Sequence, residues 1–327
     1  MLNPLSLERV APAAGHEVPG RGFADDMARA LASRPRSISP KYFYDARGSQ
    51  LFDAICELPE YYPTRTELTI LRTHATEIAS QMGPRAEIVE FGAGSCVKVG
   101  LLLDAMERPA RYLPIDISGE HLAASAAELR ARYPQLDVQP VIADYTQRLL
   151  LPAALPGAGR RVGFFPGSTI GNFTPAEALH FLHVAGQVLR GGALLLGADL
   201  IKDPDVLHAA YNDAQGVTAN FNLNLLARAN RELGTDFVPE QFAHSAFYNA
   251  PQQRIEMHLV SRCRQKVSLA GQAHGFEEGE TLHTENSYKF TIDGMRSLAQ
   301  QAGFRAGPVW TDPQRRFSLH WLDAPFL

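Results

Sequence analysis

The stretch Glu90-Phe91-Gly92-Ala93-Gly94-Ser95-Cys96-Val97-Lys98 decides the fold. Residues 86–89 before it are apolar and β-prone, and residues 99–106 after it have the pattern of the first turns of a helix. A strand that ends in an acidic residue and a Gly-x-Gly turn, followed by a helix, is typical of a nucleotide-binding α/β sheet. Glycines there let the backbone approach a ligand closely. The stretch predicts where a cofactor binds, but not which cofactor.

After this stretch, strand and helix signals alternate along the chain. We expect strands at 111–118, 137–145, 161–168 and 192–200, and helices at 120–132 and 174–189. This alternation predicts parallel strands joined by right-handed helical crossovers. At Ile201 the pattern breaks into a helical region (201–240) and antiparallel strands (242–260 and 265–275). A helix near 292–302 and strands at 306–311 and 316–323 then resume the sheet, the last two as an antiparallel hairpin.

The N-terminal segment has a different character. Residues 1 to about 20 predict a loose tail, residues 23–31 a helix, and residues 37–49 an aromatic-rich loop before a helix at about 50–57. Two prolines bracket Tyr61-Tyr62, which predicts an extended, stiff backbone before a long helix from 66 to 82. The expected organisation is an α/β sheet interrupted by an insert, with the N-terminal segment packed on that insert.

Composition narrows the class of protein. The chain has 327 residues and a formal charge of −4, which argues against nucleic-acid binding. It has no apolar run of the roughly 18–20 residues that a membrane helix needs, and its first twenty residues lack a secretory pattern. The three cysteines are far apart, and the eleven histidines form no metal-binding pattern. We expect a cytoplasmic protein with no metal site and no nucleic-acid or membrane partner.

Acidic residues end the neighbouring predicted strands. Asp116 can accept hydrogen bonds from ribose hydroxyls, and Asp144 can accept from an adenine amino group while Tyr145 packs on the ring. A lone strand-end acid is more often a helix cap or solvated, but three in register favour a nucleoside site. A dinucleotide site wants a third glycine, where this chain has Val97. Glu-x-Gly-x-Gly resembles instead the first motif of class I S-adenosylmethionine methyltransferases.

Lys98 follows that motif and can reach the cofactor carboxylate, although on spacing alone an exposed helix position is as good an interpretation. At the end of the fourth strand, the Asn172 amide both donates and accepts, which suits a zwitterionic amino acid; the alternative is a helix-capping turn. Glu285 and Ser287 fall on one face of a strand and could bind the two imidazole nitrogens. The alternative there is a surface pair on an edge strand.

Several longer segments resemble the histidine-specific S-adenosylmethionine-dependent methyltransferase family of ergothioneine biosynthesis, from about Pro40 to the C-terminus. The segments are 41–45 (KYFYD), 58–67 (LPEYYPTRTE), 171–172 (GN), 255–257 (IEM) and 284–287 (TENS). Pro-Glu-Tyr-Tyr-Pro-Thr-Arg is far more specific than the glycine turn. Ser95-Cys96-Val97 and Tyr145 depart from the commoner family residues, and neither departure touches the substrate groups.

The resemblance implies a Rossmann-like class I methyltransferase sheet (66–200 plus 289–327) and a smaller α+β substrate domain (1–65 plus 201–288). It implies three successive methyl transfers from S-adenosylmethionine to the α-amino nitrogen of L-histidine, by a monomer. It assigns residues to three groups: those holding the cofactor are Gly92, Lys98, Asp116, Asp144 and Tyr145; those holding histidine are Tyr61, Asn172, Tyr211, Met257, Glu285 and Ser287; Tyr44, with Asn172, lies by the reacting amine.

Other functions stay open at this point. Within the same chemistry, the substrate could be tryptophan or another aromatic amino acid. An NAD-dependent oxidoreductase is disfavoured by the missing third glycine. A non-catalytic S-adenosylmethionine-binding module would leave Asn172, Tyr211 and Glu285 without a reason to converge.

Overall fold

The structure is a computed structural model that describes residues 21–94 and 96–326. The predicted tail at 1–20 and Ser95 of the glycine stretch therefore lie outside the described residues. None of the helices in the described part is long and apolar enough to cross a membrane.

The described elements alternate in the order that the sequence predicts for the central sheet. The helices are α1 (Arg21–Ala32), α2 (Ala46–Glu57), α3 (Tyr62–Met82), α4 (Val97–Ala105), α5 (Gly119–Arg132), α6 (Pro175–Val188), α7 (Pro204–Tyr211), α8 (Val217–Leu233) and α9 (Ile292–Gln301). The strands are β1 (Arg36–Ser37), β2 (Glu87–Phe91), β3 (Arg111–Asp116), β4 (Asp137–Val138), β5 (Val141–Ile142), β6 (Arg161–Phe165), β7 (Ala193–Asp199), β8 (Phe242–Asn249), β9 (Arg254–Ser261), β10 (Gln265–Leu269), β11 (Gln272–Phe276), β12 (Thr281–Tyr288), β13 (Arg305–Thr311) and β14 (Phe317–Asp323).

The large sheet has the strand order β13-β14-β7-β6-β2-β3-β4, with β5 also paired to β3. Strands β7, β6, β2, β3 and β4 are parallel, and β14 is antiparallel to both β7 and β13. The chain order reverses between β2 and β6, and ligands of open α/β sheets bind at the carboxyl ends of the strands at such a point. This is the predicted class I methyltransferase sheet, including its terminal antiparallel hairpin.

The sheet is buried on both faces, because helices pack against each. All five residues of β2 and all seven of β7 are buried, as expected for parallel strands covered on two sides. Helix α6 begins at a capping box, in which the Thr174 side chain accepts from the Glu177 amide and Glu177 binds back to Thr174. The capping box thereby fixes where the helix after β6 begins.

A second sheet, β1-β12-β9-β8, lies outside this frame. Strand β1 comes from the N-terminal segment and pairs parallel with β12, whereas β9 pairs antiparallel with β12 and β8. Its core is a separate cluster that joins side chains of the N-terminal segment, such as Met27 and Phe43, to Phe221 and Met257 from beyond Ile201. The N-terminal segment thus packs on the insert, as predicted.

Several local predictions were wrong in extent. The third strand is not continuous, because Pro140 cannot donate to the ladder and separates β4 from β5. Tyr62 is helical, since Pro63 suits the first turn of α3 and only Tyr61 keeps a non-helical backbone. Helix α2 begins at Ala46 rather than near Gln50, because the Asp45 carboxylate caps it by accepting from the Gly48 amide at 2.7 Å.

The helical region predicted for 201–240 is two helices and a loop. Gly216 has φ +70° and separates α7 from α8, and Gly234 has φ +67° and ends α8. A left-handed backbone at both positions favours glycine and cannot continue a helix.

Candidate active site

Glu90 lies near the carboxyl end of β2, at the carboxyl edge of the large sheet. Glu90 is buried, and the Tyr112 hydroxyl donates to its carboxylate at 2.5 Å. Burial raises the pKa of Glu90 to about 8, against the opposing effects of Tyr112 and Lys98. Glu90 is thus protonated below that pH, because burial disfavours its charged form.

The glycine turn after β2 is packed against an aromatic ring. Gly92 has φ +73°, and a Cβ at this position would lie 3.3 Å from the Tyr145 hydroxyl oxygen. Tyr145 in turn packs edge-on against Phe91, Phe165 and Phe181, with ring centroids 5.8–6.3 Å apart. Position 92 therefore requires glycine, both for its backbone conformation and for the close approach of the Tyr145 ring.

The two strand-end aspartates each organise their own turn. Asp116 Oδ1 accepts from the Ser118 amide at 2.8 Å, and Asp144 Oδ1 accepts from the Thr146 amide at 2.9 Å. The other oxygen of Asp144 lies 3.8 Å from the Lys41 ammonium, which belongs to the N-terminal segment. Both carboxylates are therefore oriented at the carboxyl edge of the sheet, and the N-terminal segment reaches this edge.

Lys98 is paired inside the protein. Its ammonium lies 2.6 Å from the Glu67 carboxylate, which is fully buried and also accepts from the Gly167 amide at 3.0 Å. Burial disfavours the Lys98 charge, but the Glu67 carboxylate outweighs this and raises the pKa of Lys98. Glu67 thus ties the helix after the glycine turn to the loop after β6, a connection that the sequence analysis did not predict.

Three predicted tyrosines lie together on the side of the second sheet. Tyr61 and Tyr211 are edge-to-face with centroids 6.3 Å apart, and Phe52 lies between Tyr61 and Tyr44 with centroid distances of 6.3 and 5.6 Å. Burial raises the pKa of all three hydroxyls, and the Glu285 carboxylate adds to the effect. The three phenols therefore stay protonated and able to donate at neutral pH.

Strand β12 brings the predicted imidazole-binding residues to the same cluster. Glu285 pairs directly with Met257 of β9, so the two side chains share a face, and Ser287 follows on that face. The Tyr211 hydroxyl donates to Ser287 Oγ at 2.7 Å. Burial raises the pKa of Glu285 to about 7, although the Lys289 ammonium opposes this shift.

Asn172 ends a short 3-10 turn (Thr169–Asn172) that follows β6. This turn packs closely on β12, because a Cβ at Gly171 would lie only 2.8 Å from the Tyr288 carbonyl oxygen. The turn begins at Ser168, whose φ is +57° and whose hydroxyl accepts from the Asp199 amide at 2.9 Å. Asn172 is thereby placed between the carboxyl edge of the large sheet and the strand that carries Glu285.

Comparison with known proteins decides the family. A sequence profile described as "Histidine-specific methyltransferase, SAM-dependent" matches residues 23–324. The chain belongs to this family. It is therefore a methyltransferase that uses S-adenosylmethionine as the methyl donor and histidine as the acceptor.

Individual relatives of this histidine methyltransferase are named for histidine, for ergothioneine or for a tryptophan derivative. The chain is 44% identical over 300 residues to "Histidine N-alpha-methyltransferase" of Mycolicibacterium smegmatis, covering 90% of this chain and 92% of the relative. It is 31% identical to "Ergothioneine biosynthesis protein 1" of Neurospora crassa, covering 88% of this chain but 33% of that protein. It is 26% identical to "4-dimethylallyltryptophan N-methyltransferase easF" of Claviceps purpurea, covering 88% and 91%.

The structure of the histidine methyltransferase adds buried charges that the sequence analysis missed. Lys289 lies 2.9 Å from Asp199, and Lys202 lies 2.6 Å from the same carboxylate. The Tyr62 hydroxyl donates to Asp199 at 2.6 Å. Asp199 ends β7, where a strand-end acid could have been noticed, but the lysines come from the following loop and from beyond β12. Lys202 lies three residues after Asp199, but no short-range spacing relates Lys289 to either residue.

The structure also gathers three potential metal ligands, Glu256, His258 and His283, on the outer face of the second sheet. The sequence analysis found no such group because the residues come from two strands. His258 Nε2 lies 3.0 Å from Glu256, and the same carboxylate accepts from Arg254 at 2.6 and 2.8 Å. Burial alone would raise the pKa of Glu256, but hydrogen bonds from His258, Arg254 and Asn249 and the charge of Arg254 lower it to about 2. A carboxylate that already neutralises an arginine is a poor ligand for a cation.

Proposed function

We propose that the protein transfers three methyl groups in succession to the α-amino nitrogen of L-histidine, giving N,N,N-trimethylhistidine (hercynine) for ergothioneine biosynthesis. The single observation that carries this is the convergence of Glu285, Ser287 and Met257 with the tyrosine cluster beside the cofactor edge. The names of the relatives from M. smegmatis and N. crassa support both the nitrogen atom and the pathway. Each transfer releases S-adenosylhomocysteine.

The carboxyl edge of the large sheet fits the cofactor. Asp116 and Asp144 supply acceptors suited to ribose hydroxyls and an adenine amino group, and Tyr145 supplies a ring beside them. Gly92 keeps the turn narrow, and the Lys98 ammonium suits a carboxylate if it is shared with Glu67. When bound, S-adenosylmethionine supplies an electrophilic methyl group on a sulfonium. We assign Gly92, Lys98, Asp116, Asp144 and Tyr145 to its binding.

The acceptor is held by groups from both sheets. Tyr61, Asn172 and Tyr211 would bind the amino and carboxylate groups, and Glu285 and Ser287 the two imidazole nitrogens, with Met257 lining the pocket. Tyr211 and Ser287 already share a hydrogen bond of 2.7 Å. A buried carboxylate that gains an imidazole N–H partner gives strong discrimination against side chains without one.

The chemical step needs a neutral amine in line with the methyl group. An α-amino pKa of about 8 leaves an appreciable neutral fraction near pH 7.5, so positioning is the main task, worth up to about 7–11 kcal/mol. The Asn172 amide and the Tyr44 hydroxyl would orient the lone pair. Each of the first two transfers leaves an ammonium that must lose a proton before the next. Tyrosine rings also stabilise the growing cation.

The division of labour follows the two sheets. We assign residues 66–200 plus 289–327 to the cofactor domain and 1–65 plus 201–288 to the substrate domain. Separate hydrophobic cores support this division. We also propose that the protein acts as a cytoplasmic monomer, without nucleic-acid or membrane partners.

A second candidate acceptor is another aromatic amino acid, favoured by the C. purpurea relative, whose name specifies a tryptophan derivative. An indole has a single N–H and would leave Ser287 without an acceptor, whereas imidazole engages both groups. Incubation with S-adenosylmethionine and all twenty amino acids, followed by mass spectrometry, tests the assignment. Histidine should be the methylated amino acid. A tryptophan product, or no product, would overturn it.

A further inference from the structure

Lys289 has no assigned role, yet its ammonium is fully enclosed at the back of the histidine pocket. The side chain is 1% exposed. Its Nζ lies 2.7 Å from Ser287 Oγ, 2.9 Å from an Asp199 carboxylate oxygen and 3.2 Å from the Tyr211 hydroxyl oxygen. An ammonium has three protons and no lone pair. The three neighbouring oxygens therefore each accept a hydrogen bond from Lys289.

This fixes the direction of the hydrogen bonds around Ser287. Its oxygen accepts from Lys289, and it accepts from the Tyr211 hydroxyl at 2.7 Å. A hydroxyl has two acceptor lone pairs and a single donor proton. Because both lone pairs are occupied, the proton of Ser287 must point to a third group. Ser287 shares its face of β12 with Glu285, so that proton is available to the pocket.

We propose that Lys289 is a positioning residue, which makes Ser287 a hydrogen-bond donor to the imidazole nitrogen that carries no proton. Glu285 accepts from the other nitrogen, so the pocket selects the neutral imidazole in a single tautomer. This inference rests on the proposed role of Glu285 and Ser287 in binding histidine. It deepens that role, because Ser287 alone could donate or accept with equal ease.

Lys202 is a matched control within the same cluster. It also pairs with Asp199, at 2.6 Å, and its hydrogen bonds go to the Tyr62 hydroxyl and the Leu200 carbonyl. Either lysine can be removed while the other still neutralises Asp199. Of the two, Lys289 is the one that contacts Ser287 and Tyr211.

The experiment compares Lys289→Met with Lys202→Met in the full-length enzyme, after both are shown to bind S-adenosylhomocysteine with wild-type affinity by calorimetry. Lys289→Met should raise the KM for histidine on the order of tenfold, with kcat within about threefold, because the serine proton is no longer directed. Lys202→Met should leave the KM within about twofold. Equal KM increases in the two variants would show that Asp199 neutralisation is the cause and would overturn the proposal.

A double-mutant cycle tests whether the effect passes through Ser287. In a Ser287→Ala background, Lys289→Met should change the histidine KM less than twofold, and a full tenfold effect there would contradict the proposal. If Lys289→Met does not fold, Lys289→Gln replaces it, since its amide still donates. The Lys289→Gln variant should keep the KM for histidine within about threefold of wild type, and a tenfold rise would contradict the proposal. Failure of the wild type to methylate histidine would instead refute the proposed function.

Discussion

Glu285 is a carboxyl group in a buried position that disfavours its charge, and we propose that it binds the substrate imidazole. Burial raises the pKa of its carboxyl to about 7, and the nearby Lys289 only partly offsets this. Such a group destabilises the empty pocket when it is charged, and an imidazole N–H relieves that cost on binding. With the role we propose for Glu285, substrate recognition and local stability are therefore opposed at this single residue.

Substitution of Glu285 should separate acceptor binding from cofactor binding. In Glu285→Ala, the KM for histidine should rise roughly tenfold to a hundredfold, because an imidazole N–H loses a charged acceptor. Calorimetric affinity for S-adenosylmethionine should not change. Glu277→Ala, which removes an exposed carboxylate, is the control. Equal losses in cofactor affinity and activity would refute the assignment of Glu285.

The pKa of Glu285 also predicts how stability depends on pH. The folded pKa of about 7 lies above the ordinary value of 4.5, so this group's stabilising contribution is complete below pH 4.5 and is lost as the pH rises through 7. Glu285→Gln should therefore raise the free energy of unfolding at pH 8.5 by about 1 kcal/mol or more, and change it little at pH 4.5. Denaturation at the two pH values measures this. A larger gain at the acidic value would give the wrong sign.

Asn172 tests the amine end of the pocket. Asn172→Ala should lower turnover by roughly tenfold to a hundredfold, because the attacking amine loses a group that orients it. Binding of S-adenosylmethionine should stay intact in calorimetry. An unchanged rate at saturating histidine would remove Asn172 from the site.

At the scale of elements, the contact between the 3-10 turn at Thr169–Asn172 and β12 joins the two halves of the proposed pocket. Gly171 permits it, because a Cβ there would lie 2.8 Å from the Tyr288 carbonyl oxygen and 3.2 Å from its amide nitrogen. Backbone atoms cannot move aside as a flexible side chain can. The turn can therefore lie this close to the strand because position 171 has no side chain.

We expect Gly171→Ala to cost about 1–3 kcal/mol of stability through overpacking. It should also reduce kcat/KM for histidine, because Asn172 and Glu285 would no longer keep their separation. Gly275→Ala in β11 is the control, since its Cβ would meet nothing within 4 Å. If the two variants have the same melting temperature and activity, the close packing of the turn contributes neither to stability nor to catalysis, and this prediction is wrong.

Sequence patterns predicted elements where local chemistry decides them. The glycine turn, the Thr174-Pro175 helix start and the strand alternation at Glu285 and Ser287 are all short-range signals, and the structure has each. The third strand was predicted as continuous over 137–145. Pro140 interrupts it, and only the short strands β4 and β5 pair with β3. Lys289 and Asp199 lie 90 residues apart, so only the folded chain reveals their contact.

At the scale of the whole molecule, the N-terminal segment and the insert form one unit around β12. Arg36 of β1 is 1% exposed, donates to the Gly275 carbonyl at 2.6 Å, pairs with Glu280 and stacks over Phe276. This buried arginine, paired with the Glu280 carboxylate, holds the segment that leads to Tyr44 and Tyr61. The proposed histidine side of the pocket therefore depends on chain regions more than 200 residues apart.

In the proposed function, the two sheets divide the reaction between them. The carboxyl edge of the large sheet bears Asp116 and Asp144, whereas β12 bears Glu285 and Ser287, and the lysine that follows β12 is salt-bridged to the end of β7. A methyl donor and an amino acid can thus be held by different units and still meet at Asn172. This arrangement is the basis of the central claim, that histidine is methylated at its α-nitrogen until no proton remains there.

The most direct test is a time course with purified enzyme, histidine and excess S-adenosylmethionine, in which tandem mass spectrometry locates each methyl group. We predict mono-, di- and trimethylated histidine in succession, all three methyl groups on the α-nitrogen, and three molecules of S-adenosylhomocysteine per molecule of final product. Methyl groups on the imidazole ring, or a reaction that ends at one methyl group, would contradict this account.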